Sequence, residues 1–269
     1  MSGKIELGFL ENVSHVWQTV SLDNTFVSSV VVACPSHTAD VQPAIIRIRN
    51  AGETSFDIKL QTPHLSDVDN EASPRLVYYM VVEEGVWQIG NTRMEAKRVE
   101  STVTCGAPAS NFTTDKMTEF TYGQEYVNPV VFGQVLTYND PNWSTFCSRA
   151  ASDREDPPSG DSCYVGKGAF KPHGITRADE TLGVVVFETT FDKIDGQVNG
   201  ISTQVAFQTF VTPKNVLPLI EGGSSYDLHE EFATYDSPSE FVITTQTAMS
   251  GGEGSWTVVN SAETLTLSD

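Results

Sequence analysis

Phe26-Val-Ser-Ser-Val-Val-Val32 returns about a hundred residues later as Tyr126-Val-Asn-Pro-Val-Val-Phe132, and both read as β-branched strands entered through a turn. A second pair follows in the same order. Leu76-Val-Tyr-Tyr-Met-Val-Val-Glu83 matches Thr181-Leu-Gly-Val-Val-Val-Phe-Glu188, each an apolar strand closing on a glutamate. Between the paired strands of the first copy, Ala44-Ile-Ile-Arg-Ile-Arg49 and Ser55-Phe-Asp-Ile-Lys-Leu60 alternate apolar and polar residues with period two. That period predicts strands with one face buried and one wet.

A third copy begins at Phe241-Val-Ile-Thr-Thr, and its Ser255-Trp-Thr-Val-Val resembles Asn142-Trp-Ser-Thr-Phe of the second. Its tail, Asn260-Ser-Ala-Glu-Thr-Leu-Thr-Leu, echoes Asn50-Ala-Gly-Glu-Thr-Ser-Phe-Asp-Ile, but the strand that closes the other copies is missing. No stretch holds a helical period; the best candidate, 91–99, is short and follows a strand, while turn residues cluster at 67–74, 154–160 and 251–254. The expectation is an all-β chain: two tandem antiparallel β-sandwich-like repeats, 1–110 and 111–220, and a truncated third, 221–269.

With 269 residues, each of two units has enough chain to bury a core without metals or disulfides. The 35 acidic residues outnumber 16 basic ones, and the net charge of −19 disfavours nucleic acid and anionic lipid as partners. No run approaches the roughly 18 apolar residues of a membrane span, and Met1-Ser-Gly-Lys-Ile-Glu lacks the apolar core of a signal peptide. The four cysteines, Cys34, Cys105, Cys147 and Cys163, form no C-x-x-C pair and read as reduced. Secretion would open a Cys147–Cys163 bridge and would bring the sequons at Asn12, Asn111 and Asn142 into play.

Catalytic and metal-binding patterns are weak. His15, His37, His64, His173 and His229 are far apart in sequence, with no H-E-x-x-H or H-x-H. Asp67-Val-Asp-Asn-Glu71 alternates carboxylates but lacks the glycine and distal glutamate of a calcium loop. The glycines at 222–223 and 251–254 read as turns, since neither is followed by Lys-Ser/Thr. Glu83 and Glu188 form a carboxylate pair of the kind a glycosidase uses, yet their equivalence across repeats points to a shared structural place, such as a strand-end hydrogen bond. The expectation is a non-enzymatic chain with no cofactor. Trp143 and Trp256 flank matching turns, where rings pack into a core, stack on sugars or anchor a subunit contact.

The valine runs and the Arg47-Ile-Arg-Asn50 segment, over residues 12–90 and more loosely 118–205, resemble the H-type lectin domain. That resemblance implies six-stranded antiparallel sandwiches and carbohydrate binding through loops at their ends. Arg177-Ala-Asp-Glu-Thr-Leu-Gly-Val-Val-Val-Phe-Glu188 and Met249-Ser-Gly-Gly-Glu-Gly-Ser-Trp256, set in acidic tandem β repeats, are similar to the shell proteins of diatom pyrenoids. This second resemblance implies a protein that tiles with itself, and with related shell paralogues, around the Rubisco-filled pyrenoid of the chloroplast stroma in support of carbon fixation; secretion is the alternative location. The truncated third repeat would leave a strand edge for a neighbouring copy. The candidate interface residues are Trp143, Phe241, Trp256, Leu265 and Leu267.

Overall fold

The computed structural model describes residues 5–37, 44–63, 72–106, 108, 110–169, 176–198, 201–212, 226–227, 241–249, 258–260 and 266–268. The chain is all-β. The first unit contains β1 (Ile5–Val13), β2 (Gln18–Ser21), β3 (Ser29–His37), β4 (Ile45–Arg49), β5 (Ser55–Gln61) and β6 (Arg75–Glu83). A hairpin of β7 (Gly85–Ile89) and β8 (Thr92–Ser101) leads into β9 (Thr104–Cys105) and β10 (Thr118–Thr121). Next come β11 (Pro129–Val135), β12 (Thr145–Arg149), β13 (Ser162–Gly168) and β14 (Glu180–Glu188), and then the hairpin β15 (Thr190–Val198) and β16 (Ile201–Thr209). The short strands β17 (Tyr226–Asp227), β18 (Val258–Asn260) and β19 (Thr266–Ser268) are the last among the described residues.

Strand pairing repeats between the units. In the first, β6 lies between β1 and β3, and β5 lies between β2 and β4. In the second, β14 lies between β8 and β11, and β13 between β10 and β12. Each of these pairings is antiparallel. By pairing, the second unit therefore starts at Thr92, ahead of residue 111. The segment 91–99, the best helical candidate in the sequence, is largely β8: Met94 and Ala96 face one buried cluster while Glu95 is buried on the opposite side.

The two units stack through their central sheets. One core fills the first sandwich, with Val31, Tyr79 and Val81 facing Ile48, Phe56 and Ile58. Another fills the second, with Val131, Val184 and Val186 facing Phe120, Phe146 and Val165. A third cluster joins Val30, Val32, Met80 and Val82 of the first unit to Met94, Ala96, Val185 and Phe187 of the second. Sheets β1-β6-β3 and β8-β14-β11 are thus buried on both faces, which explains why β3, β6 and β14 read as continuous valine runs instead of alternating. Each of these valines contributes about 1.5–3 kcal/mol by leaving water.

The expectation of a wet face on β4 and β5 is corrected at Arg47 and Lys59, while Arg49 on the same face keeps 39% of its side chain exposed. Arg47 is 0% and Lys59 5% exposed. The outer face they occupy is covered by residues 138–142 of the second unit, whose main-chain oxygens accept from Arg47 and whose Tyr138 hydroxyl accepts from Lys59, which makes their burial tolerable. Sequence alternation marks which residues avoid the sandwich core, and a neighbouring unit can still cover the other face.

Candidate functional site

In each unit two carboxylates clamp the turn that enters the first valine strand, β3 or β11. Glu83 accepts hydrogen bonds from the N–H of Val27 at 2.9 Å and of Ser28 at 2.8 Å. Glu188 accepts from the N–H of Val127 at 2.8 Å and of Asn128 at 2.6 Å. The following residue repeats the match too, with Glu84 N–H donating to Ser28 O and Thr189 N–H to Asn128 O, both at 2.8 Å. The strand-end role read from the sequence is therefore present in both copies. The second carboxylate comes from the first strand of each unit. Glu6 takes the N–H of Asp23 and Asn24, and Glu95 takes the N–H of Gly123 at 2.6 Å. Burial pushes the Glu95 carboxyl up from its ordinary value, against the opposing pull of the Gly123 N–H and of Lys97. Carboxylates tied to main-chain amides in this way fix a loop shape.

A buried, charged seam joins the units. Arg47, from the alternating strand β4, sends Nη1 to Gln61 Oε1 at 2.8 Å and to Asn142 O at 2.6 Å, and Nη2 to Asp140 O at 2.9 Å. Glu180 lies 3.9 Å from Nη2, both side chains being fully buried. Burial lowers the Arg47 guanidinium to about 10, with Glu180 the largest opposing influence. Glu180 is itself held by Thr137 Oγ1 and by the N–H groups of Asn139 and Asp140. Burial works to raise Asp140, but the N–H of Ala178 and the amides of Asn142 outweigh it and hold the carboxyl below the ordinary carboxylate value. Outside this seam, Trp17 and Tyr138 meet edge to face at 5.1 Å, with Arg49 over Trp17 and Lys59 within reach of both rings. The seam is a lock: it pins the β11–β12 loop of one unit onto the outer sheet of the other.

The segment 241–249 forms an extended strap across both units. Phe241 packs edge to face on Tyr78 of β6 with centroids 5.5 Å apart. Thr245 Oγ1 donates to Val131 O, and Gln246 O accepts from Ser148 N–H at 3.1 Å beside a parallel bridge from Gln246 to Cys147. Met249 and Arg154 exchange two hydrogen bonds. A cleft walled by Pro35, Ile45, Gln134 and Phe146 runs beside Thr244, Thr245 and Gln246. The strap therefore lies on the edge of sheet β10-β13-β12, on the side of β12 away from β13, where no further strand among the described residues pairs with it.

These positions sort the candidate interface residues. Phe241 is half-buried on the first unit. Trp143 is corrected: at 4% exposure it packs in a cluster with Ile45, Phe112, Met117 and Met249, under the 102–117 insertion, and presents no surface to a partner. Trp256 and Leu265 lie outside the described residues, and Leu267 sits in β19 opposite Tyr226 and Val259. The acidic segment 67–71, His64, His173, His229 and the glycines at 222–223 and 251–254 also lie outside the described residues. Among the described residues, no group of three or more His, Cys, Asp or Glu side chains is placed to hold a metal ion. Among them, too, no helix is long and apolar enough to cross a membrane.

Sequence reasoning missed Arg47 and Glu180, because each sits within a strand pattern that reads as ordinary. The one available signal was an arginine bracketed by isoleucines at a position with no acidic partner nearby in sequence.

Comparison with known proteins gives little to set beside this geometry. No family model matches the chain, and no solved structure matches it. Over 180 residues, 64% of its length, the chain is 29% identical to Halomucin of Haloquadratum walsbyi (strain DSM 16790 / HBSQ001). The matched region makes up 2% of that protein.

Proposed function

We propose that this chain is a non-enzymatic structural module that assembles with copies of itself by exchanging the 241–249 strap. The observation that carries the reading is the seating of that strap: an extended peptide lies on a sheet edge and is tied there through main-chain bonds at Gln246 and Met249. A segment bound in this way can leave its own chain and occupy the same edge of a neighbour. The contact is then head-to-tail, and unless its rotation closes a ring it propagates. The similarity to a small part of a far longer protein suits a module that works in series. The pyrenoid-shell form of the reading, with its chloroplast location and shell paralogues, rests on the sequence resemblance alone.

Carbohydrate binding is the second reading. Each unit has six core strands arranged three on three, which suits a lectin-like sandwich, and the Trp17–Tyr138 ring pair is half-buried at the surface.

The test is negative-stain electron microscopy over a concentration series, comparing the full chain with a version ending at Glu240. Sheets, tubes or growing particles from the full chain, with a folded and dispersed truncation, support strap exchange. Assembly by the truncated chain, or none by the full chain at any concentration, refutes it, and a glycan array then becomes the deciding measurement.

A further inference from the structure

We propose that Cys105 and Cys147 form a disulfide that staples the 102–117 insertion onto the outer sheet of the second unit, while Cys34 and Cys163 remain thiols. The insertion is peculiar to the second unit. In the first, β1 runs to β2 through the short stretch 14–17, whereas in the second, β8 is separated from β10 by residues 102–117. These fold back so that β9 pairs in parallel with β13, Gly168 opposite Cys105, and Ala169 N–H donates to Cys105 O at 2.9 Å. Across the same strand β12 pairs with β13, Cys147 opposite Gly166. Both sulfurs emerge on the face of β13 that the insertion covers, in the cluster with Phe112, Met117 and Trp143.

Gly166 is what lets them meet. A Cβ at that position would stand 3.0 Å from Cys105 Sγ and 3.2 Å from Met117. With no side chain there, the two Sγ atoms approach to 2.7 Å over the glycine, inside van der Waals contact and beyond the ~2.05 Å of a formed bond. Cys163 lies on the opposite face of β13, in the sandwich core with Phe120 and Val165, so the Cys147–Cys163 bridge considered from sequence is ruled out by the sheet between them. Cys34 belongs to β3 of the first unit.

The chemistry is thiol–disulfide exchange with a low-molecular-weight disulfide such as oxidised glutathione. One cysteine, as the thiolate, attacks a glutathione sulfur, releases one glutathione thiol and becomes a mixed disulfide. The second cysteine gives up its proton and displaces the remaining glutathione. The protein loses two electrons and two protons, and one glutathione disulfide becomes two thiols. Cys105 is 2% and Cys147 0% exposed, and burial pushes the Cys147 thiol well above its ordinary range. Exchange therefore occurs during folding or when the insertion opens, and the finished bond is sheltered from reductants.

The test uses the full chain refolded in a glutathione redox buffer, alkylated, and digested with trypsin without reduction. The expected result is a cross-linked pair of peptides, 99–116 and 117–149, with Cys34 and Cys163 alkylated, so that unfolded protein titrates two thiols instead of four. The oxidised protein should melt roughly 5–10 °C above the reduced one. Cys105→Ser should abolish that difference and Cys34→Ser should retain it. Four alkylated cysteines under every redox condition, or a link involving Cys34 or Cys163, overturns the proposal even if the variants fail to fold.

Discussion

Replacing Arg47 by Met removes the centre of the inter-unit seam while nearly keeping its volume. The loss can be worked from the geometry. At 3.9 Å the Arg47–Glu180 pair attracts by about 4 kcal/mol at an effective dielectric of about 20. Desolvating two charges takes back most or all of that. The hydrogen bonds to Gln61, Asn142 and Asp140 then decide the balance, because their oxygens lose a charged donor in a place shielded from water. Breaking a buried pair from one side costs about 3–5 kcal/mol, and Arg47→Met should fall in that range by urea unfolding followed through tryptophan fluorescence. Glu180→Gln should cost only about 1–2 kcal/mol, since the amide oxygen still accepts from Asn139 and Asp140. In the double variant Glu180 no longer faces the loss of its counter-charge, so the combined cost should fall short of the sum by about 1 kcal/mol or more. An Arg47→Met variant within about 0.5 kcal/mol of the parent, or strict additivity in the cycle, would refute the view that this seam locks the units.

Two further outcomes follow from the turn clamps. Glu83→Ala and Glu188→Ala should each cost about 1.5–3 kcal/mol in urea unfolding; the Glu83 variant should lose more, because Glu83 is 9% exposed while Glu188 is half-buried. Equal and negligible losses would remove the case for carboxylate clamps. For Glu95, the folded protein holds a proton more tightly than the unfolded chain, so the stability it contributes is full below the ordinary value of 4.5 and declines as pH rises through the higher folded value. Glu95→Gln should therefore gain on the parent as pH rises from about 4 towards 7 in thermal melts; a difference independent of pH contradicts the burial argument.

What the sequence disclosed and what it hid divide along a physical line. The valine runs and terminal glutamates were readable, because Glu83 and Glu188 each clamp the entry to the strand paired directly beside their own, within one unit, and a pattern repeats when the unit that carries it repeats. The all-β class followed from the same signals. Arg47 and Lys59 were read as solvent-facing, because period-two alternation reports only which residues avoid the nearer core. Whether a second layer covers the other face depends on residues 138–142, some ninety positions away, and no local pattern carries that. For Trp143 the sequence left core packing, sugar stacking and subunit contact open, because its turn was matched only to that of Trp256; the insertion that buries it has no counterpart in the first unit.

The layering also constrains how copies of this chain can join. Sheets β1-β6-β3 and β8-β14-β11 spend both faces inside the molecule, one on their own sandwich and one on each other. The outer sheet of the first unit carries the β11–β12 loop on its exposed side, and that of the second carries the 102–117 insertion. Face-to-face stacking, the usual way for sheets to add apolar contact, has therefore lost its main surfaces within the monomer. Edges remain, and they offer main-chain donors and acceptors instead of apolar area. An assembly built on edges gains register from hydrogen bonds and little from burial, so each contact is weak and growth depends on concentration. An exchanged strap departs from this in one respect: it carries Val242 and Met249, both buried, along with its main-chain bonds. That combination makes 241–249 a stronger point of attachment than any bare strand edge the described residues present.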